Sequence, residues 1–70
     1  MDKITLKMWS VQTTGGQIIT DQEPQEVTVT FASADSAVRA RQRGYTWDST
    51  ANYYLTKKKA RRAINWALSN

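Results

Sequence analysis

Residues 26–44 read Glu-Val-Thr-Val-Thr-Phe-Ala-Ser-Ala-Asp-Ser-Ala-Val-Arg-Ala-Arg-Gln-Arg-Gly, and the hydrophobic period changes in the middle of the run. Up to Phe31 it is two. Val27, Val29 and Phe31 share one face and Thr28 and Thr30 the other, as in a half-buried strand of β-branched and aromatic residues. Beyond Phe31 the signals are helical. Ser33 offers a capping hydroxyl, Asp35 stands in the first turn where the helix dipole favours an anion, and Gly44 suits the left-handed position that ends a helix. Between them Ala34, Ala37 and Val38, with the stem of Arg41, form a narrow apolar stripe. Arg39 and Arg43 lie one turn apart and share a face.

Upstream, Lys3 to Val11 alternates as well, with Ile4, Leu6 and Met8 on one face and Lys3, Thr5, Lys7 and Trp9 on the other. Thr13-Thr14-Gly15-Gly16 tolerates positive φ and predicts a turn, after which Gln17 to Thr20 returns as a short second strand. Asp21 to Gln25 holds the only proline and reads as an exposed loop. Downstream, Tyr45 to Asp48 and Tyr53 to Leu55 flank Ser49-Thr50-Ala51-Asn52 and predict an aromatic hairpin, one face of which roofs the core and takes Trp47 inside. Thr56 caps a last helix from Lys57 to near Ser69. There Ala60, Ala63, Ile64, Ala67 and Leu68 fall at i, i+3, i+4, i+7 and i+8. The order β-β-β-α-β-β-α implies an α+β fold: a small, mostly antiparallel sheet with both helices packed on one face, in a single domain over residues 1–70.

The chain has 70 residues, and a domain of that size buries only roughly 60% of its unfolded surface, which leaves few side chains for work other than packing. It contains neither His nor Cys. The usual general base, thiol nucleophile, disulfide framework and soft metal ligands are therefore missing, and neither an enzyme nor a cofactor or metal site is expected. Asp21, Glu23 and Glu26 read as a solvated acidic turn, Asp35 belongs to a helix start and Asp48 to the hairpin turn. Gly15-Gly16 lacks the strand–loop–helix context of a phosphate-binding loop. No apolar run approaches the ~20 residues of a membrane span, and the first residues lack the apolar stretch of a signal peptide. A cytoplasmic protein without a membrane partner is the expectation.

Charge is distributed unevenly. The net value of +4 combines an acidic first part, where Lys3 and Lys7 face Asp2, Asp21, Glu23 and Glu26, with a basic remainder in which eight cations face only Asp35 and Asp48. Five of the eight crowd into one stretch: Lys57, Lys58, Lys59, Arg61 and Arg62. The lysines fill the first turn of the last helix, where the dipole disfavours cations by a few tenths of a kcal/mol each. Such a local conflict marks a functional candidate, because phosphate oxygens favour both the exposed N–H groups and the ammonium charges. A solvated polar face accounts for the same residues. Among the rings, Tyr54 or its neighbour Tyr53 is exposed by alternation, and an exposed ring beside arginines is the arrangement that stacks unpaired bases. Trp66 lies off the last helix's apolar stripe and Trp9 on the polar side of the first strand; each covers the sheet's second face or anchors a partner.

Residues 34–56 run from an Ala-rich helix through Gly44-Tyr45-Thr46-Trp47-Asp48 and a short turn to Tyr53-Tyr54. This pattern resembles small uncharacterised modules of phage- and plasmid-borne proteins, among them primases and other DNA-handling proteins, in which Gly-aromatic-x-Trp-Asp/Asn is followed by Trp/Tyr-Tyr. The resemblance implies the hairpin and a mobile-element setting. The expected function is thus a non-catalytic nucleic-acid-binding accessory domain, phage- or plasmid-encoded. In it Arg39, Arg43, Lys57, Lys58, Lys59, Arg61 and Arg62 contact phosphates of DNA or RNA with weak sequence specificity, and Tyr54 stacks on a base. The alternative from another class is a small phage-encoded inhibitor or adaptor, anti-defence or anti-CRISPR-like in kind. It would bind an acidic or nucleic-acid-binding surface of a host protein with Trp9 or Trp66 as anchor. A homodimer through an exposed strand edge is compatible with both.

Overall fold

The computed structural model describes residues 3–69. The first strand, β1 (Ile4–Thr14), is the longest element of the sheet. Gly15 and Gly16 follow it with φ of 56° and 81°. Two successive positive φ values are what a two-residue type I′ hairpin turn requires. The chain returns as β2 (Gln17–Ile18), with Thr13 opposite Ile18 and Thr14 opposite Gln17. The next strand, β3 (Gln25–Phe31), pairs with the first half of β1, from Ile4 opposite Phe31 to Ser10 opposite Gln25. Between β2 and β3 the Gln22 side chain does at Gln12 what a strand would do. Its Oε1 accepts the Gln12 N–H at 2.8 Å, and its Nε2 donates to the Gln12 carbonyl at 2.9 Å. Pro24 in this segment is buried, so the stretch expected as an exposed loop is partly tucked against the sheet.

The helix α1 (Ala34–Arg43) forms between the caps expected for it. The Ser33 hydroxyl accepts from the Ser36 N–H at 3.2 Å, and Gly44 closes the far end in the left-handed region. The hairpin consists of β4 (Tyr45–Trp47) and β5 (Ala51–Tyr54). β5 pairs with β1 on the edge opposite β3, with Trp9 facing Tyr54 and Gln12 facing Ala51, and β4 lies outside β5. Every strand pair is antiparallel. The last helix, α2 (Lys57–Ser69), starts where Thr56 Oγ1 accepts the Lys59 N–H at 3.1 Å. The fold is α+β, as expected. No helix among the described residues is long and apolar enough to cross a membrane.

One expectation is corrected: the helices do not share a face of the sheet. Met8 packs with Phe31, Ala37 and Ala40, which places α1 over the face carrying the even-numbered residues of β1. Val11 packs with Ala60 and Ile64, together with Trp9, Ile18 and Tyr54, which places α2 over the odd-numbered face. The pairing of β1 with β3 and β5 runs without a bulge from Ile4 to Gln12, so Met8 and Val11 necessarily point to opposite sides. The physical reason lies in β1 itself. Its apolar residues at 4, 6 and 8 are on one face, and those at 9 and 11 on the other, so one helix cannot cover them all. Both Met8 and Val11 are 0% exposed.

Candidate nucleic-acid interface

The two basic segments meet because the hairpin brings them to one end of the sheet. Gly44 (φ 87°, ψ 2°) ends α1 with its N–H on the Ala40 carbonyl at 2.8 Å and passes without a loop into β4. At the other end of the hairpin, Leu55 N–H donates to the Gly44 carbonyl at 3.0 Å, and α2 begins two residues later. The last turn of α1 and the first turn of α2 therefore flank the same junction. The Lys59 ammonium lies 2.5 Å from where a Cβ on residue 44 would stand, a space open only because that residue is glycine.

Of the cations singled out in the sequence, Arg43 is the last residue of α1 and Lys57, Lys58 and Lys59 form the first turn of α2, and of these the Lys59 ammonium reaches Gly44 at the junction. Arg39 sits one turn back on α1 and, with Arg43, lines an open groove of about 430 Å³ that also includes Thr46, Trp47, Asp48 and Tyr53. Arg61 turns away and pairs with Glu23 at 2.7 Å; both are exposed, so the pair is worth less than about 1 kcal/mol. Lys58 and Arg62, one turn apart, are exposed and make no ion pair among the described residues. Because α1 and α2 lie on opposite faces, Arg39 and Arg62 are carried on opposite sides of the sheet.

Two cations rest on rings. The Arg43 guanidinium lies 5.2 Å from the Trp47 ring centroid and 5.8 Å from that of Tyr45, and the Lys57 ammonium lies 5.4 Å from that of Trp9. Tyr45 and Trp47 stack at 5.5 Å with planes 27° apart, and Tyr45 also stacks on Tyr54 at 6.2 Å. Trp47, expected in the core, is 56% exposed. The correction follows from its neighbours: across the hairpin it faces Asn52, so the end of that face is polar, and α2 packs on β1, β2 and β5 but not on β4. That Asn was the available signal. Tyr54, expected to be an exposed platform, is half-buried beneath α2 with Val11 and Ile64, and Trp9 packs in the same cluster. Trp66 is 67% exposed and borders a second groove with Gly16, Ile18 and Asn52.

Asp48 holds the hairpin turn. Its Oδ1 accepts from the Thr50 N–H at 2.8 Å, the Thr50 hydroxyl at 2.9 Å and the Ala51 N–H at 2.9 Å, while Oδ2 accepts from the Tyr53 hydroxyl at 2.6 Å. These donors favour the charged carboxylate, the Tyr53 hydroxyl foremost, and lower the Asp48 pKa from 3.8 to about 2. The same bond pushes Tyr53 up from its ordinary value. Among the described residues no group of carboxylates is placed to hold a metal ion.

No protein-family model, curated protein or solved structure matches this chain.

Proposed function

We propose that this protein is a non-catalytic nucleic-acid-binding accessory domain, in the phage- or plasmid-borne setting that residues 34–56 resemble. It holds phosphates at the junction of α1 and α2. The observation that carries this reading is the Lys59 ammonium seated at Gly44, which sets the first turn of α2 against the residue that ends α1. Cations carried by both helix ends repel one another, and an anion held between them converts the repulsion into attraction. The N–H groups of the first turn of α2 add donors for the same anion. Arg39, Lys58 and Arg62 extend the contact round the end of the sheet, and Arg61 joins it by exchanging Glu23 for a phosphate. The contacts proposed are to phosphates, which carry no sequence information, so binding discriminates weakly among sequences.

The test is a titration against single-stranded and duplex oligonucleotides at two ionic strengths. With about four or five phosphates neutralised, log K falls with log salt at a slope of roughly −3 to −4. A response independent of salt overturns the reading. A second reading, an inhibitor or adaptor that binds a host protein, is favoured by the exposure of Trp66 and Leu68 on the last turns of α2. Trp66→Ala then weakens capture of that protein and leaves oligonucleotide affinity unchanged.

A further inference from the structure

We infer that Trp47 is a stacking platform for an unpaired base of single-stranded nucleic acid, flanked by Arg43 and Arg39 on the adjoining phosphates; this deepens, and rests on, the phosphate-binding reading above. An indole 56% exposed on a three-residue edge strand leaves a large apolar surface in water. No burial repays that exposure. The guanidinium of Arg43 stands at nearly equal distances from Trp47 and Tyr45, so this stacked pair already accepts a planar partner. A nucleobase is the neutral planar equivalent, and every base has such a face.

The neighbouring charges sort the ligand's parts. Asp48 is ionised down to a pH of about 2 and lies beside Trp47 in the groove, so a phosphate is repelled there while a neutral base is not. Its oxygens are already committed to Thr50, Ala51 and Tyr53, which leaves the carboxylate as a fixed charge and not a group that swings out to bind. Arg39 and Arg43 line the same groove and supply the phosphate contacts. Bases inside a duplex are stacked on one another and cannot reach the ring, so the ligand is a single strand.

Binding of labelled oligothymidylate, an abasic phosphodiester of equal length and a duplex tests this, with wild type, Trp47→Ala, Trp47→Phe and Lys58→Glu compared at one low salt concentration. The expected result is that wild type prefers oligothymidylate to the abasic strand by roughly 10-fold, within the range for one stacked base. Trp47→Ala removes that preference and leaves abasic affinity alone, Trp47→Phe retains most of it, and Lys58→Glu weakens both ligands together. Equal binding of both strands by wild type, with Lys58→Glu weakening both, overturns the stacking inference and spares the phosphate reading. Absence of binding to any of the three ligands overturns both. The wild-type comparison needs no variant to fold, and Trp47→Phe supports the alanine result where thermal melts differ.

Discussion

Four hydrogen bonds converge on the Asp48 carboxylate, and they make the β4–β5 turn sensitive to acid. The folded pKa of about 2 lies below the ordinary 3.8, so the contribution is fully present above pH 4 and is lost as pH falls toward 2. Asp48→Asn is expected to lower the melting temperature at neutral pH and to flatten this acid limb, as read by circular dichroism melts between pH 2 and 7. Tyr53 has the opposite sign: its raised pKa gives a contribution present below pH 10 and lost above it. Gln22 is a second residue whose role is local. Gln22→Ala leaves the Gln12 N–H and C=O without their side-chain partners and is expected to cost about 1 kcal/mol. Faster hydrogen exchange at the Gln12 amide checks it. Gly44→Ala forces a side chain to φ 87° and displaces the Lys59 ammonium, a change of about 1–2 kcal/mol readable by urea unfolding. Gly44 and Asp48 were legible as cap and turn residues because their signals are local. The Gln22 bridge was not, since nothing in a glutamine's neighbours says which backbone its amide will find.

β1 is the element on which both halves of the core depend. It pairs with β2, β3 and β5 and meets α1 on one face and α2 on the other. Met8→Ala is expected to cost about 2–5 kcal/mol, and Ile64→Ala a similar amount. Against the roughly 4–10 kcal/mol typical of a domain this size, either takes a large share of the stability. Thermal melts check both, and the two variants are expected to loosen different faces: Met8→Ala the α1 side and Ile64→Ala the α2 side, as seen by hydrogen exchange. Element types were readable because the periods are clean, two in β3 and 3.6 in α2. The side taken by each helix was misread from the order of elements alone. The clue lay at Trp9 and Val11, apolar at the positions a one-faced strand would leave polar.

For the whole molecule, the unequal distribution of charge sets the expected behaviour. Reversing Lys58 and Arg62 together to Glu brings the net charge from +4 to zero without touching a buried group or an ion pair. Binding is expected to weaken at every ionic strength and the salt slope to become shallower by about 1.5, with the melting temperature unchanged. The cations of the candidate interface were legible in the sequence as two separate clusters, Arg39 with Arg43 and Lys57 to Arg62. Their use on one surface was expected, but the contact that sets the two helix ends side by side, the Leu55–Gly44 bond closing the base of the hairpin, was not legible. Helices set back to back across a single layer make that meeting place a wedge instead of a plane. A stiff rod can rest against one flank of a wedge, whereas a supple thread can bend over its crest and touch both. Oligothymidylate, the more pliant strand, is accordingly expected to outbind oligodeoxyadenylate, whose bases stack into a stiffer ribbon, and both to outbind the rigid double helix.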